Sequence, residues 1–125
     1  MSPRVLIVSS DEQALKGAVH TLRTAGFDAT GAATFEEGSQ TLREFSPRLL
    51  IADERLGAFN GLHLVLRGRA VSPDMLAIVT SPNKNAALES DAQRLNTNCM
   101  VTPTDATGWL DPVSRLLNVP TQMTA

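Results

Sequence analysis

Four short runs of apolar residues punctuate the chain, Val5 to Val8, Leu49 to Ala52, Met75 to Val79 and Cys99 to Val101, with a weaker fifth from Ala29 to Ala32. Continuous apolar runs of this length, without polar alternation, are the pattern of strands buried on both faces of a sheet. Their starts at 5, 29, 49, 75 and 99 leave 20 to 26 residues per step, room for one helix and two short loops. The pattern predicts a repeated βα unit.

The intervening segments carry helical periodicity. Ala14, Leu15, Ala18, Val19 and Leu22 share one face, and Gly26 offers a stop before Phe27. Thr34 and Glu37 have the spacing of a capping box, with Phe35, Leu42 and Phe45 behind them and Ser46-Pro47 closing the segment. Further helices are predicted from Gly61 to Val71 and from Asn83 to Leu95. A last one, from Asp105 to Leu117, contains Pro112, which removes a backbone donor, so this helix is either kinked or restarts at Asp111 with Pro112 as its first residue. Residues 1–118 then form one domain and 119–125 a C-terminal tail or linker.

Alternating strands and helices define the fold class as α/β, a doubly wound five-stranded parallel sheet of the flavodoxin-like kind with strand order 2-1-3-4-5. The ligand site of such a sheet lies outside the carboxyl ends of the strands, where the strand order reverses. The residues following the strands are Ser9-Ser10, Asp53-Glu54, Thr80-Ser81 and Thr102-Pro103, and they share that rim.

Composition narrows the classes of function. At 125 residues and 42% hydrophobic the chain can bury a single core without metals or disulfides. Eleven basic against thirteen acidic residues give a formal charge of −2 with no basic stripe, which argues against direct nucleic-acid binding. No apolar run reaches the length of a membrane span or a signal-peptide core, and the lone Cys99 sits in an apolar stretch as a small hydrophobe; a cytoplasmic setting is expected.

Four motifs in order, Val5-Leu6-Ile7-Val8, Leu50-Ile51-Ala52-Asp53 followed eight residues later by Gly61, Ile78-Val79-Thr80-Ser81 and Met100-Val101-Thr102-Pro103, resemble the receiver domain of bacterial two-component response regulators from Arg4 to about Leu117. The resemblance implies that Asp53 is the phosphoacceptor, its carboxylate attacking a phosphoryl group supplied by a histidine kinase. It also implies an acidic pair after the first strand that binds Mg²⁺ together with the acceptor, and a lysine after the fifth strand that contacts the phosphoryl oxygens. Here Ser9 and Ser10 replace the acidic pair and Thr102 replaces the lysine, while Thr80 keeps the phosphate-contacting hydroxyl. Cys99 stands where a switch aromatic would rotate, Gly57 where a proline is usual, and Asn60 where an acidic residue is common.

Neutral hydroxyls do not supply the charge Mg²⁺ needs, so Mg²⁺ binding is doubtful unless Asp11, Glu12 or Glu54 joins Asp53. Sliding the first strand by two residues would bring Asp11 and Glu12 to the acidic-pair positions, but the apolar run ends at Val8. Plain structural roles are also expected: Ser9 and Ser10 as a cap for the first helix, Asp53 and Thr80 as turn residues, His20 and His63 on the surface, Trp109 packing the last helix on the sheet, and Arg67 and Arg69 on a solvated face.

The functional expectation is an atypical receiver module, not an enzyme, that acts mainly through protein contacts, with phosphorylation at Asp53 weak or absent. Its partner would be a histidine kinase, an output domain, a regulator or a second copy, engaged through the region Asn83 to Leu117, with no contact to nucleic acid or membrane. One alternative is a conventional Mg²⁺-dependent phosphoacceptor using Asp53. Another is a flavodoxin-like cofactor binder, although the run Ser9-Ser10-Asp11-Glu12-Gln13 lacks the glycine a phosphate cradle needs.

Overall fold

In a computed structural model, residues 2–119 are described. Five parallel strands form the main sheet: β1 (Arg4–Val8), β2 (Asp28–Ala32), β3 (Leu49–Asp53), β4 (Leu76–Ser81) and β5 (Asn98–Val101). Their spatial order is β2-β1-β3-β4-β5, the order expected of a flavodoxin-like sheet. Between them run α1 (Glu12–Thr24), α2 (Phe35–Phe45), α3 (Gly61–Val71) and α4 (Ala86–Arg94), and α5 (Leu110–Leu117) follows the last strand.

Strand alternation divides the core into two layers. Val5, Ile7, Leu49, Ile51 and Ile78 face α1 and α5 with Ala18, Leu22, Trp109, Val113 and Leu117, whereas Leu6, Val8, Leu50, Ala52 and Val79 face α2, α3 and α4 with Leu42, Leu64, Val65 and Leu88. Each fully buried Leu, Ile or Val contributes about 1.5–3 kcal/mol of transfer free energy, which holds the strand register from one end of the sheet to the other. That register sets Val8 beside Ala32 and Ala52, and Asp53 beside Thr80. Strand β1 thus stops at Val8, and a two-residue slip that would lift Asp11 and Glu12 into the acidic positions is not taken.

Side-chain caps start the first four helices, each accepting a backbone N–H of the first turn: Asp11 from Ala14, Thr34 from Glu37, Asn60 from Leu62 and Asn85 from Leu88. Two expectations change here. Asp11, not Ser9 or Ser10, caps α1, because Ser9 lies inside the cleft described below. Helix α4 begins at Ala86 and not Asn83, because the Ser81 hydroxyl bonds the Asn83 backbone and Asn85 takes the cap position.

Pro112 neither kinks a continuous helix nor opens one as its first residue. A 3₁₀ turn over Ala106–Trp109 runs directly into α5 at Leu110, placing Pro112 third, within the first turn, where an N–H would have no intrahelical partner. Trp109 is buried against the sheet as expected, and His20 and His63 are exposed.

Of the two arginines of α3, Arg67 is exposed as expected, whereas Arg69 departs from the solvated face expected for it. Arg69 is only partly exposed, and its guanidinium donates to the carbonyls of Met75, Leu95 and Asn96 and to the Thr97 hydroxyl. It fastens α3 to the turn between α4 and β5, where Asn96 takes a left-handed φ of 49°. Arg67 lies over the Phe35 ring at 5.1 Å and bonds Ser39.

Between β3 and α3 the chain forms a two-stranded ribbon, Arg55–Leu56 against Phe59–Asn60, which the apolar runs did not indicate. Gly57 takes φ 64° at its turn, a position only glycine fills without strain. Leu56 is buried and Phe59 stacks on Phe35 with ring centroids 4.4 Å apart, which returns the chain to Gly61. Gly61 packs against the Asp53 carbonyl, and a methyl group there would collide with that oxygen.

Two stability outcomes follow. Replacing Arg69 with Met removes a charged donor from the part-buried Met75 and Leu95 carbonyls and should lower urea-unfolding stability by about 1.5–3 kcal/mol, whereas Arg67→Met should cost under about 1 kcal/mol. Gly61→Ala should destabilise by about 1–3 kcal/mol and shift the Asp53 amide resonance, since the displaced atom is Asp53's own carbonyl.

Candidate functional site

The carboxyl ends of β1, β3, β4 and β5 open into one cleft of about 780 Å³. Ser9, Ser10, Asp11, Asp53, Glu54, Thr80, Ser81 and Thr102 line it, so the residues expected to share a rim do so except Pro103, which does not line the cleft. Glu12 is exposed in the first turn of α1 and does not line it.

Asp53 is half-buried at the end of β3. The Ser9 hydroxyl donates to Asp53 Oδ2 at 2.8 Å and the Thr80 hydroxyl donates to Oδ1 at 3.1 Å. Ser9 is itself held in place, because its Oγ accepts from the Asp11 N–H at 3.2 Å. Ser9 and Thr80 are both buried, at 7% and 2% exposure, while the Asp53 carboxylate they bond is half-buried on the cleft wall. A hydroxyl bonded to an ionised carboxylate is stronger than a neutral pair. Asp53 is therefore tied across β1, β3 and β4 by two O–H donors, one on each oxygen.

The other carboxylates of the rim are engaged elsewhere. Asp11 spends an oxygen on the Ala14 N–H, and Glu54 accepts from the Asn85 side chain. Among the described residues, no group of three or more His, Cys, Asp and Glu side chains is positioned to hold a metal ion. The groups bonded to Asp53 are hydroxyls, so no second carboxylate among the described residues stands beside it to share a hydrated Mg²⁺.

Thr102 occupies the expected rim position, but its hydroxyl donates to the Ser81 carbonyl at 3.3 Å and so closes the backbone between β4 and β5. Ser10 is exposed at the mouth. Cys99 pairs with Val79 and packs at the edge of the α2–α4 core layer. Its thiol pKa is raised, first by burial and then by the negative charges of Glu89 and Glu54.

Sequence reading overlooked Lys84, Arg55 and Asn85, which also line the cleft. The turn-forming run Pro82-Asn83-Lys84-Asn85 leaves the same carboxyl edge as Thr80, and that position was the available clue. Lys84 brings a cation to the rim on the β4–α4 loop, not at the end of β5.

No family model and no curated protein matches the chain. Many solved structures share its fold. It is similar to a CheY-like response regulator receiver domain protein from Methanospirillum hungatei JF-1 (20% identity, TM-score 0.85, 94% of this chain and 95% of that one). The non-phosphorylated HemR receiver domain from Leptospira biflexa aligns at 19% identity and TM-score 0.84, over 98% of this chain and all (100%) of that one. The chemotaxis response regulator CheY4 of Vibrio cholerae aligns at 18% identity and TM-score 0.83, over 93% and 99%. The fold of this chain is the receiver fold.

A double-mutant cycle probes the Ser9–Asp53 bond. Ser9→Ala and Asp53→Ala, measured singly and together by urea unfolding, should show a coupling of about 1–3 kcal/mol. Thiol-reagent kinetics should show Cys99 reaching its reactive thiolate only at a pH above that of an unburied cysteine, consistent with its raised pKa.

Proposed function

We propose that this chain is an atypical receiver module of two-component (phosphorelay) signalling, in which Asp53 is a hydrogen-bonded anchor of the sheet edge and phosphorylation there is weak or absent. The observation that supports this most is the Asp53 carboxylate itself, with a buried hydroxyl donor on each oxygen. Each oxygen keeps a second lone pair, but a hydroxyl donor on each withdraws charge from the carboxylate and weakens it as a nucleophile. Phosphoryl transfer also depends on positive charge at the equatorial oxygens. The hydroxyls of Ser9 and Ser10 supply none, and Thr102 is turned onto a backbone carbonyl.

Signalling then runs through protein contacts. The surface from Asn83 to Leu117 carries a groove of about 450 Å³ whose apolar lining, Ile78, Cys99, Met100, Pro112 and Leu116, is accompanied by Asn98 and Arg115, and Val101 on edge strand β5 is exposed. A kinase, an output domain, a regulator or a second copy of the chain docks there, with its affinity set by packing and not by phosphate. With a formal charge of −2 and no basic stripe, neither nucleic acid nor membrane belongs to this reading.

Lys84 on the rim favours a second reading, in which it replaces the missing lysine and Asp53 accepts phosphate. Intact mass after acetyl phosphate treatment separates the two. The wild type should gain no Mg²⁺-dependent phosphoryl mass, and Ser9→Asp/Ser10→Asp/Thr102→Lys should gain one that Asp53→Asn abolishes. Mg²⁺-dependent modification of the wild type, lost in Asp53→Asn or Lys84→Ala, would establish the second reading instead.

A further inference from the structure

Glu54, the residue after Asp53, has its backbone pinned on both sides. Its N–H donates to the Thr80 carbonyl and its carbonyl accepts from the Gly61 N–H, each at 2.8 Å. Only its side chain is free to respond to the contents of the cleft. That carboxylate takes the Asn85 side-chain amide, with Nδ2 at 3.3 Å from Oε1 and 3.5 Å from Oε2.

The other end of the same amide caps α4: Asn85 Oδ1 accepts from the Leu88 N–H at 3.0 Å. An amide group is planar, so its donor and acceptor turn together. Helix α4 has little else to hold it at that end, since Leu88 and Ala92 are its only buried residues.

We infer that Asn85 is a positioning residue that couples the loop after Asp53 to α4. A group that draws the Glu54 carboxylate into the cleft removes the donor's partner, frees the amide to rotate and loosens the first turn of α4. This route runs along the cleft rim and does not pass through position 99, where Cys99 has no ring to rotate. Cys99 nevertheless reports on it, because the charges of both Glu54 and Glu89 bear on its thiol.

Backbone amide exchange of the full chain at Leu88 and Glu89 tests the coupling, in the absence of phosphodonor and metal. Asn85→Asp keeps a good cap acceptor but sets two carboxylates against each other, and should speed exchange at Leu88 about tenfold. Asn85→Asp combined with Glu54→Gln restores a donor–acceptor pair of reversed polarity and should return exchange toward the wild-type rate. Equal rates in wild type and Asn85→Asp, or a double variant as fast as Asn85→Asp alone, would overturn the coupling, since a plain cap is indifferent to residue 54. Glu54→Ala leaves the cap intact and gives an independent reading: faster exchange at Leu88, with faster Cys99 modification at fixed pH, supports the relay, and unchanged exchange refutes it. Because neither phosphate nor metal is present, a failure here leaves the reading of Asp53 standing, and the acetyl phosphate result does not bear on Asn85.

Discussion

The carboxylate of Asp53 sits half-buried at the carboxyl edge of a closely packed sheet, where hydrogen bonds offset the water contacts it gives up. In this chain the compensation is local and uncharged: one hydroxyl from β1's end and one from β4, each reaching one oxygen. The rest of the rim is organised around that choice. Ser9 is oriented by the Asp11 amide, Thr80 by its register beside Asp53, and Glu54 is left to face Asn85 instead of sharing an ion with Asp53.

The scaffold beneath explains why the groups meet at all. Parallel strands flanked by helices on both faces bury their side chains completely, so register is enforced by nearly every apolar residue of β1, β3 and β4. Their carboxyl ends then lie level, and polar residues that follow them in sequence are forced together in space. The ribbon Arg55–Leu56 and Phe59–Asn60, with Gly61 against the Asp53 carbonyl, holds the loop so that Asp53 and Glu54 point to different partners.

Most of this was legible in the chain because buried parallel strands write themselves as apolar runs. The five strands and the rim residues follow from Val5 to Val8, Leu49 to Ala52 and their counterparts, and the strand order from the fold class they imply. What stayed hidden depended on short polar contacts that carry no periodic pattern. Ser9 and Asp11 are two residues apart and either can cap a helix; only the direction in which β1 ends decides that Asp11 caps and Ser9 reaches Asp53. Arg69 looked like a surface arginine because the carbonyls it serves come from Met75 and from a turn 26 to 28 residues away. Pro112 was recognised as a break, but the 3₁₀ turn that precedes α5 and leaves Pro112 within that helix's first turn has no hydrophobic signature.

The most direct test of the hydroxyl-compensated Asp53 is a Mg²⁺ titration followed by amide resonances of Ser9, Asp53, Glu54 and Thr80 in wild type and Asp53→Asn. The account predicts no saturable shift at these residues at millimolar Mg²⁺, in either protein. A saturable shift centred on Asp53 and Asp11 that disappears in Asp53→Asn would contradict it, and would show that the cleft exchanges its hydroxyl donors for a metal.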